Sequence, residues 1–421
     1  MRVIKRSVAV WLLIGSLLLL NLAGCSTAAR AADLMEGIEA RSVNGREMDG
    51  SFIKTQADFA VKLFQNSLRE GENSLISPLS VMLALSMTAN GAAAETRREM
   101  EALLGGGVPL EELNRYLYSY VNGLPNDSEY KLQIANSIWF RDEENVLQVK
   151  KDFLQINADY YRAAAYKADF NDSQTVKDIN QWVKKNTDGM IDKIVDQIGR
   201  DTMMYLINAL VFDAQWQKTY EKDQIHDGSF TTANGTVADV QMMYSIEDLY
   251  LNDGNAVGFI KNYRDGKYSF AALLPNEGVS VGDYIQSLTG EKLLQTVRNA
   301  ESVLLSAVMP KFSYDYEIGM NNALAALGMR TAFDGGRADF SNLGQSSLGN
   351  IYIGEVLHKT FICVDELGTK AGAVTKVEMK AEGAVVMPEK QVVLDRPFVY
   401  LILDNATGLP IFMGTVMDLQ K

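Results

Sequence analysis

An α+β fold, with helices arranged around large and mainly antiparallel sheets, is what this sequence predicts, and three observations carry the prediction. Helical periodicity is concentrated in the first half of the chain. Strand-like alternation dominates the second half. Between residues 51 and 421 no internal repeat or long low-complexity tract separates the two, so both belong to one domain. With 47% hydrophobic and 22% charged residues, the composition is that of a globular chain able to bury a large core.

The first element is a targeting segment. Arg2, Lys5 and Arg6 precede an apolar run over residues 8–20, followed by Leu22, Ala23, Gly24 and Cys25. The run is too short for a comfortable membrane span, and small residues before a cysteine suit the narrow pocket of a signal peptidase. The Leu-Ala-Gly-Cys sequence resembles a bacterial lipobox. That resemblance implies removal of residues 1–24, acylation of Cys25, a polar tether over residues 25–50, and a single domain over residues 51–421 held at the outer face of a membrane or at the cell surface.

Within the domain, Phe59, Leu63 and Phe64 share one side of a helix expected over residues 58–68. Another helix follows Ser77, with Pro78 in its first turn, where the missing N–H costs nothing. Further helices are expected at 96–104, 110–121, 149–161, 173–186 and 319–328. Strands are expected at 131–140, 203–212, 268–274 and 303–309, with strand-like runs over 353–366 and 392–402.

Between those last two runs lies the most unusual segment of the chain. At a period of two, Thr369, Ala371, Ala373, Thr375, Val377, Met379 and Ala381 fall on one face, and Lys370, Gly372, Val374, Lys376, Glu378, Lys380 and Glu382 on the other. This is the pattern of a strand with one buried side. Yet the first buried positions are all small, and Gly368 and Gly372 lower strand propensity, which suits an exposed loop. The segment is written for two states.

The flanking residues Leu394, Asp395, Arg396, Pro397 and Phe398, then Gly408, Leu409, Pro410, Phe412 and Gly414, resemble the C-terminal signature of the serpins. Other serpin-like motifs follow in family order. Asn73, Ser77, Pro78 and Ser80 resemble the entry to a buried helix. Ile134, Ala135, Asn136, Ser137 and Trp139 resemble a strand of the central sheet, and Asn180 and Trp182 a helix that covers it. Asn208, Phe212 and Trp216 resemble the next strand and its top; Pro310, Lys311 and Phe312 come later. The resemblance spans about residues 50–420 and implies the serpin fold: helices around three mainly antiparallel sheets, with an exposed reactive-centre loop.

The implied function is suicide inhibition of serine proteases, with cysteine proteases as a second class. Cleavage of the loop forms an acyl-enzyme, and the loop then enters the central sheet as an added strand and drags the protease with it. Gly368, Thr369, Ala371, Gly372, Ala373 and Thr375 form the implied hinge, where small inward residues avoid a steric or desolvation barrier. Lys370 and Val374 depart from the family pattern, both at outward positions. Ser77, Ser80, Asn208 and His358 resemble the polar shutter beneath the central strands; Trp216 and Glu366 resemble residues at the breach where insertion begins. A non-inhibitory serpin, acting as a binding or structural surface protein, is the alternative. A lipid-anchored solute-binding protein is a third class, against which the ordered motifs count.

The scissile bond stays open. Counting from Glu366 at the family's usual spacing puts the cut between Glu382 and Gly383, which suits a Glu-specific protease. The run from Glu366 to Pro397 is long for the family, and a cut displaced toward the C-terminus falls in Ala384, Val385 and Val386, which fit an elastase-like or subtilisin-like pocket. Lys380 would serve a trypsin-like enzyme. The apolar group is favoured.

Other functions fit poorly. The chain has two histidines, His226 and His358, and lacks Gly-x-Ser-x-Gly, His-Glu-x-x-His and Gly-rich phosphate motifs, so it does not read as an enzyme. Its net charge of −13 becomes −16 once residues 1–24 are removed, which disfavours nucleic acid. No metal or cofactor is expected, and the protein is expected to act as a monomer. Cys363 is expected to be a buried, inert thiol with no disulfide partner.

Overall fold

A computed structural model of the chain describes residues 31–126, 130–143, 146–369 and 387–419. Its centre is a helix buried on every side. Ser77 caps Pro78–Ala89 by accepting from the backbone N–H of Ser80, Pro78 sits in the first turn, and all twelve residues are buried. A helix that is apolar all round needs neighbours all round. The amphipathic helices Gly50–Gln65, Ala94–Gly105 and Leu110–Gly123 pack against it on one side, and the central sheet on the other.

That sheet has seven strands in the order Ala32–Asp33, Ala164–Ala168, Tyr130–Arg141, Met204–Gln215, Gly368–Thr369, Glu355–Val364 and Phe312–Gly319. Both of its faces are covered. Leu206 and Leu210 face the main core, while Tyr205, Ile207 and Ala209 face a second cluster with Ile179 and Val183 of the helix Ser173–Asn186. Burial on both faces explains why Met204–Gln215 reads as an almost unbroken apolar run. Asn208 is the one fully buried polar residue of that strand, with a consequence described below.

A nine-stranded sheet runs Lys390–Val393, Glu301–Pro310, Val237–Asn252, Ala256–Asn262, Tyr268–Pro275, Phe398–Asp404, Pro410–Val416 and Ser74–Ile76, with Ile225–Thr231 paired beside Val237–Asn252. Gly344–Ser346 and Leu147–Val149 form a small third sheet. Most pairings are antiparallel, and this is the α+β arrangement with three sheets that the sequence predicts.

Several boundaries differ. The first helix begins at Gly50, because the Asp49 carboxylate accepts from the Phe52 N–H and caps it; it ends at Gln65, where the Asn66 side chain takes the Lys62 carbonyl. The run over 392–402 divides into Lys390–Val393 and Phe398–Asp404, which lie at separate places in the sheet; Pro397 lacks the N–H that a continuous ladder would use. The strands Ile225–Thr231, Val237–Asn252 and Ala256–Asn262 and the helices Val281–Gln286 and Gly290–Arg298 were not expected. Cys363 is half-buried rather than buried.

Residues 31–49, within the stretch expected as a tether, lie along the domain. Ala32 and Asp33 pair with Lys167 and Tyr166 at the sheet edge. Leu34, Met35 and Ile38 pack on the main core, and the Arg41 guanidinium binds the buried Asp159 carboxylate through two nitrogens at 2.8 and 3.1 Å.

Candidate functional site

The site is a gap in the central sheet with one short strand at its mouth. Met204–Gln215 and Glu355–Val364 pair directly, in parallel, only over Tyr205–Leu210 and Glu355–Thr360. Above that level Gly368 and Thr369 lie between them. Gly368 and Thr369 pair antiparallel with Gln215 and Ala214 on one side, and Thr369 pairs with Val364 on the other. The start of the predicted hinge therefore already occupies the mouth of the gap. Gly368 is required there by space: a Cβ at this position would lie 2.1 Å from the Ala214 carbonyl oxygen. Thr369 is buried, and its hydroxyl bonds the Tyr263 hydroxyl.

An aromatic and ionic cluster frames this mouth. The Trp216 ring stacks on Tyr263 at 4.6 Å, its indole N–H donates to the Asp365 carbonyl, and its backbone N–H donates to that of Leu367. Beneath the Trp216 and Tyr220 rings lies the Lys261 ammonium, 5.6 and 4.5 Å from their centroids and 2.7 Å from Glu247 Oε1. Burial pulls the lysine below its ordinary value, and the Glu247 carboxylate opposes that shift. At the outer edge Lys311 Nζ lies 2.7 Å from Glu366. Burial pushes the Glu366 carboxyl upward, but the Lys311 ammonium and the residue's own backbone N–H outweigh it and hold the group below the usual carboxylate value.

Below the mouth, a polar network crosses the closed part of the gap. The Ser77 backbone N–H donates to His358 Nε2 at 3.0 Å, so His358 Nδ1 carries the proton and donates to Asn208 Oδ1 at 2.5 Å. Asn208 Nδ2 in turn donates to Ser80 Oγ at 2.7 Å and to Asn136 Oδ1 at 2.8 Å. One helix and three strands are tied together in a water-poor interior, where each bond is costly to leave unmade. Complete burial lowers the His358 imidazole from its ordinary 6.5 to about 3.

Ser77, Ser80, Asn208 and His358 are thus brought together, and Trp216, Glu366, Gly368 and Thr369 form a second group above them. Ala371, Gly372, Ala373 and Thr375, the scissile-bond candidates Lys380, Glu382, Gly383, Ala384, Val385 and Val386, and Cys25 lie outside the described residues. The sequence reading missed Asn136, Tyr263, Lys261, Glu247 and Lys311 as members of the site. Asn136 had a signal, being polar and in register with Asn208 across adjacent strands; the others meet the site only through tertiary contacts.

Comparison with known proteins agrees with this geometry. The family model described as Serpin (serine protease inhibitor) matches residues 54–419. Human neuroserpin is 30% identical over 378 residues, covering 86% of this chain and 90% of neuroserpin. Tengpin, a thermophilic serpin, in its native state is 53% identical with a TM-score of 0.88, covering 93% of this chain and all of the tengpin chain; its latent state scores 0.79, covering 89% and 100%. A thyroxine-binding globulin, solved with thyroxine, is 25% identical with a TM-score of 0.78, covering 88% of this chain and 100% of that chain.

Two outcomes follow from the buried ionisable groups. Because the folded pKa of His358 is depressed, the unfolded chain binds the extra proton below pH 6.5; stability contributed by the neutral ring is present above pH 6.5 and lost toward pH 3. Urea unfolding between pH 6.5 and 5 should show a slope of up to ~1.4 kcal/mol per pH unit that His358→Gln flattens. Lys261→Met should strand the Glu247 carboxylate and lower stability by roughly 3–5 kcal/mol, with most of it recovered in Lys261→Met/Glu247→Leu, as read by urea midpoints.

Proposed function

The chain belongs to the serpin family, and from that premise we propose that it is a surface-anchored suicide inhibitor of serine proteases. Serpins are inhibitors rather than enzymes, so the chemistry is the protease's own: its serine attacks a loop carbonyl and forms an ester, and the new amine leaves. The outcome depends on whether loop insertion or hydrolysis of that ester comes first.

The observation that carries this reading is the seating of Gly368 and Thr369 at the head of the gap between Met204–Gln215 and Glu355–Val364. Thr369 turns inward onto Tyr263, and this sets the parity of any strand that continues from it. Ala371, Ala373 and Thr375 share that parity, so each of the first three further inward steps of insertion meets a small side chain. Insertion from this end replaces the parallel ladder between the two strands with antiparallel pairing on both sides of the new strand, and antiparallel pairing is slightly the stronger per residue. The native state is then a local minimum held by a kinetic barrier at the polar network, not the state of lowest free energy.

For the target we favour an elastase-like or subtilisin-like protease cutting among Ala384, Val385 and Val386, ahead of a cut after Glu382 or Lys380. The lipobox-like sequence ending at Cys25 supports a bacterial lipoprotein anchored on the outer side of a membrane, with the inhibitor shielding that surface.

Incubation with elastase-like, subtilisin-like, trypsin-like and Glu-specific proteases should give a detergent-stable complex with an enzyme of the first two types, and the mass of the released C-terminal peptide names the bond. Thr369→Arg should leave the same bond cleaved while complex yield falls at least tenfold, because a charged side chain must enter the core. If every protease nicks the wild-type loop without a complex, the non-inhibitory reading replaces this one, and a carrier role like that of thyroxine-binding globulin becomes the comparison to test. Separately, Cys25→Ala should move the protein out of the membrane fraction; unchanged retention would end the lipid-anchor reading.

A further inference from the structure

A cavity of about 630 Å³ opens between the helices Leu110–Gly123, Lys151–Tyr161 and Ser173–Asn186 and the strands Tyr130–Arg141 and Ala164–Ala168. Its size falls within the range of small-molecule sites, roughly 300–1,000 Å³. The floor is apolar, supplied by Leu83, Met87 and Leu132, all buried side chains of the main core. Tyr160, Tyr166 and Trp182 form aromatic walls, with the Tyr166 and Trp182 rings edge to face at 6.4 Å.

The polar side of the cavity is biased in charge. Arg162 and Lys185 line it, both exposed, and neither side chain makes an ion pair or hydrogen bond among the described residues. By contrast the nearby Lys184 is paired with Asp192 and Lys131 with Asp188. No carboxylate occurs among the described lining residues. Both cations stand at helix C-termini, Arg162 as the left-handed cap of Lys151–Tyr161 and Lys185 in the last turn of Ser173–Asn186. The helix dipole favours a cation at those places. It does not account for both of them bordering the same cavity without a partner among the described residues.

We propose that this cavity binds an amphipathic monocarboxylate, its apolar body over Leu83, Met87 and Leu132 and its carboxylate between Arg162 and Lys185. Aromatic walls and an apolar floor exclude water from the body of the ligand, and the two free cations supply the charge that selects an acid over a neutral molecule of the same shape. Binding requires neither a protease nor loop cleavage, so the proposal is independent of the inhibitory reading.

The test is titration of the purified full chain with 12-bromododecanoate, whose bromine quenches tryptophan on contact. Saturable quenching with one site per chain is expected, and Trp182→Phe should remove it. Arg162→Asn/Lys185→Gln should weaken binding at least tenfold, with Lys185→Gln alone giving a partial loss; asparagine suits the left-handed backbone at 162, and circular dichroism checks the fold. The neutral analogue 12-bromododecan-1-ol should bind the wild type no more tightly than the acid binds the double variant. Absence of saturable quenching, equal affinity for acid and alcohol, or affinity unchanged in the double variant would each overturn the proposal.

Discussion

The constraint on which the rest of this structure depends is a ladder that stops partway. Met204–Gln215 and Glu355–Val364 are neighbours by direct pairing only as far as Leu210 and Thr360. Above that point the strands are held apart, and unpaired backbone groups inside a buried sheet are too costly to leave without partners. Gly368 and Thr369 supply partners at the head of that stretch, to Gln215, Ala214 and Val364, and the absence of a side chain at residue 368 is what lets the backbone come close enough to do so. The sheet thus holds the first step of its own expansion within the uncut chain.

Around that ladder the side chains divide by mechanical role. At the mouth, Trp216, Tyr263 and the Lys261–Glu247 pair form a rigid frame in which large rings and a buried charge pair leave few alternative packings. In the closed part, His358, Asn208, Asn136, Ser80 and Ser77 use short polar contacts that can each be exchanged for another. A hydrogen-bonded seam suits a place that would part and re-form in the proposed insertion, because its separate bonds can be replaced one at a time. A jigsaw of aromatic rings would lose its packing contacts together.

How much of this could be read in the sequence follows the same division. Elements with their own punctuation were legible: Ser77 and Pro78 announce a buried helix, and the expected 173–186 helix matches Ser173–Asn186, with Asp172 as its cap. The small-residue face beginning at Thr369 was legible because parity needs only the order of residues. Partners that meet across long separations were not: Tyr263 reaches Thr369 across more than a hundred positions, and nothing local marks it. Val237–Asn252 escaped notice because Met242 and Met243 break its alternation and Glu247 is a charge on its buried side, sensible only once Lys261 is placed opposite. In residues 31–49 the attachment through Leu34, Met35, Ile38 and Arg41 emerges only when the sheet edge and Asp159 are in place.

These features assign different duties to the two ends of the gap. Moving the strands apart below Thr369 separates His358 from Asn208 or from Ser77, and the imidazole is too deeply buried to take a proton as a substitute partner near neutral pH. In the proposed insertion the barrier therefore lies in the seam. Beyond it the first three inward positions, Ala371, Ala373 and Thr375, would ask for little volume in a core packed to near-crystalline density. A chain arranged this way has its resistance concentrated in a few polar contacts and its driving force spread along a strand. Under the proposed inhibitory function, such a distribution would let cleavage of a distant loop bond release a large rearrangement without the uncut protein drifting into it.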